Sequence, residues 1–87
     1  MKILVSTPVQ MSEILLSARK AKGFTQAEVA RRMGIKQPRL SLLETTATAT
    51  ITLQQMLALF AIYELELCVQ SRDISEADSL STTQPEW

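Results

Sequence analysis

The sequence predicts an all-α domain of four to five helices, with one C-terminal β-strand that pairs with its copy in a second chain. Apolar residues recur at helical spacing over most of the first 62 of its 87 residues, and threonines stand where several helices would begin. At residues 65–70, "LELCVQ", the spacing changes to the alternation of a strand. We expect residues 1–70 to form one folded domain and residues 71–87 to form an acidic, flexible tail.

Charged side chains are unevenly distributed along the chain, although its net charge is zero. Residues 1–45 carry eight basic against three acidic side chains, a net charge of +5. Residues 46–87 carry one basic against six acidic side chains, a net charge of −5. A basic half suits a polyanionic partner, while chance segregation in a short chain is the plainer interpretation.

The composition argues against several classes of site. Histidine is absent and Cys68 is the only cysteine, so an internal disulfide is excluded and the usual zinc ligands are missing. We therefore expect no metal, no cofactor and no small-molecule ligand. Because the commonest general base is missing and no base accompanies a candidate nucleophile, we do not expect an enzyme.

Hydropathy argues against a membrane or secreted protein. No apolar run approaches the roughly 20 residues of a membrane span. The opening "MKILVSTPVQ" has an apolar run that is too short for a signal peptide. We expect a cytoplasmic protein with no membrane partner.

The first predicted helix spans residues 8–22. Thr7 can cap it, Pro8 suits its first position, and Gln10 completes a capping box. Gly23 is a natural end for this helix. Its inward-facing candidates are Val9, Met11, Ile14, Leu15 and Ala18.

The second predicted helix, residues 26–33, begins in the same way. Thr25 is the cap and Glu28 follows three residues later, which is the spacing of a capping box. Gly34 ends the helix after barely two turns. Its inward-facing candidates are Val29, Ala30 and Met33.

The third predicted helix spans residues 37–44 of the stretch "GIKQPRLSLLE". Pro38 is tolerated there because it lies in the first turn, where its missing N–H is not needed. Lys36, Gln37 and Arg39 crowd this turn, although the first turn is the positive end of a helix and disfavours cations. An anionic partner would remove that conflict. The core candidates here are Ile35, Leu40 and Leu43.

A fourth helix and a strand complete the predicted fold. Thr52 with Gln55 three residues later forms another capping box after the threonine-rich connection "TTATATI". The predicted core-facing residues of this fourth helix are Leu53, Met56, Leu57, Phe60 and Ala61.

The strand at Leu65–Gln70 has no convincing mate in its own chain, apart from Lys2–Val5. A lone strand has unpaired backbone groups on both sides and is not stable. We therefore predict that Leu65, Leu67 and Val69 mediate a homodimer. In the alternative interpretation, these three side chains cover the core of their own chain.

The two short helices joined by "MGIK" predict a helix-turn-helix, whose second helix enters the major groove of DNA with its N-terminus first. Gln37 can pair with an adenine edge, and Arg39 can bind a guanine edge or a phosphate. Lys36 can do either, and Pro38 can touch a thymine methyl. Arg31 can bind a phosphate or simply favour the negative end of its helix. The same alternatives hold for Arg32, Arg19, Lys20 and Lys22.

The stretch "TQAEVARRMGIKQPRLSLLE", residues 25–44, closely resembles the Cro/CI-type helix-turn-helix. Lys36 stands where that family usually has a capping serine or threonine, and Pro38 where a small or polar residue is common. The resemblance implies phosphate contact by Gln26 and base or phosphate contact by Ser41. The predicted DNA-contacting set is Thr25, Gln26, Arg31, Lys36, Gln37, Pro38, Arg39 and Ser41.

The layout of the whole chain, with "GIKQ", one strand after the fourth helix and a polar tail ending in "EW", is similar to HipB-type antitoxins. This resemblance implies a homodimer that binds operator DNA, represses its own operon and neutralises a HipA-type serine/threonine kinase toxin. It also implies that Trp87 anchors in a pocket of the toxin. Two alternatives stay open: a stand-alone phage-like repressor without a toxin partner, and a helical adaptor that binds no DNA.

Overall fold

A computed structural model describes residues 2–72 of the chain. This part of the chain is all-α and contains no β-strand. The predicted strand at residues 65–70 and its intermolecular ribbon are therefore not seen in the single chain and stay predictions. The elements, in order, are α1 Pro8–Ala21, α2 Gln26–Met33, α3 Gln37–Leu43, a 3-10 helix Thr48–Thr50 and α4 Leu53–Ile62.

Three of the four α-helices begin with the predicted capping boxes. The hydroxyl oxygens of Thr7, Thr25 and Thr52 each accept a hydrogen bond from the backbone N–H three residues later, at 3.2, 3.1 and 3.0 Å. In each box the side chain of the residue three positions after the threonine also accepts a hydrogen bond from the threonine's backbone N–H. These residues are Gln10, Glu28 and Gln55. The predicted starts of these helices are therefore confirmed, because a cap is a local signal.

Three helix ends are followed by a residue in the left-handed conformation, which closes the last turn. After α1 this residue is Gly23, with φ of 74°. Gly34 has φ of 71° at the end of α2, and the N–H of Ile35 then donates to the Ala30 carbonyl at 3.0 Å. After α4 the same role falls to Glu64, with φ of 58°. The N–H of Leu65 donates to the Phe60 carbonyl at 2.7 Å. The turn between α2 and α3 is therefore fixed by glycine, as predicted.

The core lies where all four helices meet. Leu15 of α1, Val29 of α2, Leu40 of α3 and Leu59 of α4 are all fully buried or nearly so. Leu43 is also fully buried, at the end of α3. The pairing of α2 with α3 that the sequence predicted is therefore part of one continuous core. Its other buried members are Ala30, Phe60 and Tyr63.

The prediction of the core-facing residues of α4 was partly wrong. Leu53 is 60% exposed, Leu57 is 45% exposed and Ala61 is also exposed. Within α4, Leu59 and Phe60 are buried and Gln55, Met56 and Ile62 are half-buried, and Tyr63 is buried directly after the helix. In a helix that is apolar almost all round, spacing alone does not identify the buried face.

The threonine-rich connection after α3 contains regular local structure. It contains the 3-10 helix Thr48–Thr50, and Thr48 is buried. The Thr48 hydroxyl donates to the Leu43 carbonyl at 2.6 Å. This bond satisfies one of the carbonyls that the end of α3 leaves unpaired.

Leu65 follows α4, is half-buried and packs against the core. Beyond it, Leu67 is 47% exposed and Val69 is 74% exposed, and Cys68 is exposed. The single chain thus leaves Leu67 and Val69 largely uncovered. Trp87 and most of the predicted tail lie outside the described residues. Within residues 2–72, no helix combines the length and the apolar composition needed to cross a membrane.

Candidate nucleic-acid interface

The N-terminal end of α3 presents three consecutive exposed residues, Lys36, Gln37 and Pro38. Lys36 occupies the cap position, and its side chain makes no capping hydrogen bond. Pro38 lies in the first turn, so its ring interrupts no hydrogen bond within the helix. The buried residues of α3, Leu40 and Leu43, lie further along. Three of the residues predicted to contact DNA therefore form one solvent-facing run along the chain.

A chain of polar contacts supports this surface from behind. Nε2 of Gln37 lies 3.4 Å from Oε1 of Gln26 on α2. Nε2 of Gln26 donates to Oε1 of Glu44 at 3.0 Å. Glu44 in turn pairs with Arg19 of α1, with 2.7 Å from Arg19 Nε to Glu44 Oε2. Four side chains from α1, α2 and the two ends of α3 are thereby linked.

The anchor of this chain of contacts is the ion pair of Arg19 and Glu44. Side-chain exposure is 11% for Arg19 and 1% for Glu44. A second contact joins Nη2 of Arg19 to Oε1 of Glu44 at 3.2 Å, so the pairing is bidentate. Nη1 of Arg19 also donates to the Phe24 carbonyl at 2.9 Å. Arg19 is therefore a structural residue, neither a free phosphate ligand nor a simple helix-end cation.

Sequence reasoning missed this ion pair. Arg19 and Glu44 are 25 positions apart, and no periodicity relates them. The sequence feature that could have indicated the ion pair is Glu44, the glutamate at the end of the helix-turn-helix pattern. A carboxylate at that position follows the last buried leucine, Leu43, and so stands next to the core.

Gln26 is half-buried and differs in setting from the exposed Gln37. Since Glu44 accepts from its Nε2, the oxygen of the Gln26 amide must point the other way, toward Gln37. Gln37 then donates through one N–H and keeps its carbonyl oxygen and its second N–H free of this contact. The predicted phosphate contact of Gln26 stays a prediction.

Arg39 is half-buried and leans toward the 3-10 helix. Its Nη1 and Nη2 each lie 3.4 Å from Oγ1 of Thr50. Ser41 is half-buried, and its carbonyl accepts from the Thr45 hydroxyl at 2.8 Å. Neither residue belongs to the exposed run at residues 36–38, and their predicted DNA contacts stay predictions.

The two arginines near the end of α2 have different surroundings. Arg32 stacks on the ring of Phe24, with its guanidinium carbon 4.6 Å from the ring centroid. Arg31 is exposed, and so is Thr25, whose hydroxyl is engaged with Glu28. Arg31 is thus better placed than Arg32 to bind a phosphate.

Tyr63 is buried and close enough to the ion pair for the charges of Arg19 and Glu44 to act on its phenol. Its hydroxyl is buried and has no hydrogen-bond partner among the described residues. Burial, together with the charge of Glu44, raises the pKa of Tyr63 to about 12, and the charge of Arg19 acts in the opposite direction. The phenol is therefore neutral throughout the physiological pH range. Within residues 2–72, no three histidine, cysteine or acidic side chains come together as a metal site would require.

Comparison with known families decides the class of this surface. A family model described as Helix-turn-helix matches residues 15–69. The chain belongs to the helix-turn-helix family of Cro/CI type. Members of this family are DNA-binding domains of transcription regulators. The matched residues include α2, α3 and the whole of their polar support.

Solved structures of HipB antitoxins share the fold of this helix-turn-helix chain. The HipB of the HipA-HipB-O2-O3 complex is 25% identical, covers 83% of this chain and all of its own length, and has a TM-score of 0.72. The HipB of the HipB-O1-O2 complex is 26% identical over 80% of this chain and all of its own, with a TM-score of 0.70. A HipB variant in complex with an O2 20mer is 27% identical over 84% of this chain and all of its own, with a TM-score of 0.72. Comparison with curated proteins gives no match.

Proposed function

We propose that this helix-turn-helix protein is a sequence-specific transcriptional repressor and the antitoxin of a toxin–antitoxin module. It binds operator DNA as a homodimer and neutralises a HipA-type serine/threonine kinase toxin. The observation that carries the DNA-binding part is the exposed amide of Gln37, held from behind by Gln26. The antitoxin part is supported by the similarity to HipB structures, one of which contains HipA.

In this proposal Gln37 reads an adenine in the major groove. Adenine offers an acceptor, N7, and a donor, the N6 amino group, and a glutamine amide can satisfy both. The free N–H and the carbonyl oxygen of Gln37 supply the two matching groups. Because Gln26 holds the amide in one orientation, less side-chain freedom is lost on binding.

The surrounding cations supply affinity. Lys36 and Arg31 are exposed and both belong to the helix-turn-helix. In this proposal they neutralise DNA phosphates, which releases bound counterions. Pro38 presents an apolar surface to a thymine methyl. Gln26, Thr25, Arg39 and Ser41 complete the proposed contact set.

A homodimer gives the operator its symmetry. Two α3 helices related by a two-fold axis read half-sites about 34 Å apart, or a multiple of that distance. We assign dimerisation to Leu65, Leu67 and Val69, the last two of which are exposed in the single chain. Residues 1–70 then form the DNA-binding and dimerisation domain, and residues 71–87 the acidic tail with Trp87 as the toxin anchor.

Selection of bound sequences from a random DNA library tests the repressor. We expect enrichment of a palindrome with the half-site spacing given above, and a salt-dependent affinity. Enrichment of a DNA sequence that is not palindromic would contradict binding as a symmetric dimer. Salt-insensitive behaviour with no retention on DNA would instead indicate the helical adaptor.

A pull-down from the native cells, after nuclease digestion of DNA, tests the antitoxin. Full-length protein should retain a kinase-like protein in stoichiometric amount, and a chain lacking Trp87 should retain less. Equal retention would move the toxin interface onto the folded dimer. If nothing is retained, the chain is a stand-alone repressor.

A further inference from the structure

The segment Lys2–Val5 presents three consecutive apolar side chains that the helix-turn-helix does not use. Ile3 is 56% exposed, Leu4 is 80% exposed and Val5 is 38% exposed. Isoleucine and valine favour extended backbone in a sheet. Adjacent exposed apolar side chains mark a surface that another element covers.

This segment lies beside Leu65, the first residue of the predicted strand. Ile3 and Leu65 both line an apolar groove of about 440 Å³, and the rest of its lining comes from α1. The apolar residues that α1 contributes are Ile14, Ala18 and Ala21. Two segments without helical structure therefore flank one apolar face of α1.

The number of strands bears on the stability of the ribbon. An isolated two-stranded ribbon is at best marginally stable in water, and either further strands with an apolar face or packing against a helix stabilises it. Pairing of residues 65–70 with their copy uses one edge of each strand. The other edge keeps unpaired N–H and C=O groups.

We infer that Lys2–Val5 pairs with this outer edge of residues 65–70 of its own chain, giving a sheet of four strands, two from each copy. The inference rests on the homodimer of the proposed function. In the single chain no backbone hydrogen bond joins the two segments within residues 2–72. The partner's strand supplies the missing restraint by holding residues 65–70 extended.

In a strand, the neighbouring side chains of Ile3 and Leu4 would lie on opposite faces of the sheet. Successive side chains of a strand point to opposite faces. Ile3 lines the groove over α1, so Leu4 points away from it. Removing Ile3 should therefore weaken the sheet, while the same change at Leu4 should matter little.

Nuclear Overhauser effects between backbone protons of the full-length protein test the strand order. We expect cross-strand contacts between residues 2–5 and 65–70, and between residues 65–70 of the two copies. Dimers mixed from labelled and unlabelled chains separate contacts within a chain from contacts between chains. Contacts of residues 2–5 that arise only between chains would overturn pairing within one chain.

Sedimentation equilibrium gives the second test. Ile3→Ser should raise the Kd of the dimer roughly tenfold, because an apolar side chain loses its cover. The matched control Leu4→Ser should leave the Kd nearly unchanged. A ribbon between the two copies with no contact to residues 2–5, and equal Kd values for both variants, would overturn the outer strand while leaving the dimer intact. A wild-type protein that stays monomeric would instead refute the dimer of the proposed function and the four-stranded sheet together.

Discussion

The amide of Gln37 is held by the amide of Gln26, with 3.4 Å between Gln37 Nε2 and Gln26 Oε1. One residue is exposed on α3, and the other is half-buried on α2. The contact is long for an N–H···O hydrogen bond. It nevertheless gives an exposed side chain a preferred direction, because Glu44 fixes the amide of Gln26 in turn.

This relationship predicts the effect of Gln37→Ala. The variant should lose about 1–3 kcal/mol of discrimination at one base pair, because its two base-reading groups are gone. Titration of the selected operator and of its single-base-pair variants measures this. The exposed Gln54 of α4 provides a matched control as Gln54→Ala. If operator and scrambled DNA lose affinity equally, Gln37 does not read a base.

The two arginines near the end of α2 predict different salt dependences. Arg31→Ala should lower the slope of log K against log salt by about one unit, as expected for one lost phosphate contact. Arg32→Ala should leave the slope unchanged, because the Arg32 guanidinium stacks on Phe24 at 4.6 Å. Affinities measured at several salt concentrations give both slopes. An unchanged slope for Arg31→Ala would assign that residue to stabilisation of the helix end.

The ion pair of Arg19 and Glu44 predicts a large stability effect. Glu44→Gln keeps the shape of the side chain but leaves a mostly buried guanidinium without its counter-charge. Breaking a buried pair in this way costs about 3–5 kcal/mol. Urea unfolding at neutral pH measures the loss. Glu13→Gln, at an exposed position of α1, is the control and should change stability little.

Tyr63 predicts a loss of stability at alkaline pH. The pKa of its phenol is about 12 in the folded chain, against 10.0 for an unperturbed tyrosine. The unfolded chain therefore releases this proton first, and the free energy of unfolding falls as the pH rises from 10 toward 12. Because the chain has one tyrosine, phenolate absorbance follows its titration directly. An ordinary tyrosine titration would contradict the burial.

Tyr63→Phe isolates this contribution. The variant removes a buried hydroxyl that has no partner among residues 2–72, so stability at neutral pH should be unchanged or slightly higher. The stability difference between wild type and variant should shift in favour of the phenylalanine above pH 10. Unfolding curves at neutral and alkaline pH give this difference, and a constant difference would refute the prediction.

The starts of α1, α2 and α4 could be predicted from sequence because each capping box lies within four consecutive residues. The end of α2 was predictable for a similar reason, since Gly34 adopts a left-handed conformation that other residues avoid. The ion pair of Arg19 and Glu44 could not be predicted in this way, because the fold alone brings these residues together.

The buried face of α4 shows a second limit of sequence reasoning. Leu53 and Leu57 are four residues apart, as are Met56 and Phe60, so helical spacing fits either pair as the buried face. Only the position of the other helices decides between them. Residues 65–70 show a third limit, because pairing with a second copy cannot be observed in a single chain. Its assignment therefore stays a prediction.

The separation of tasks within α3 has a consequence for how this protein can diverge. Leu40 and Leu43 hold the helix in the core, whereas Lys36, Gln37 and Pro38 are exposed. Exchanges at residues 36–38 would therefore alter the recognised sequence at little cost in stability. Gene duplication could then yield regulators with separate targets on one unchanged scaffold, each insulated from the operator of the other.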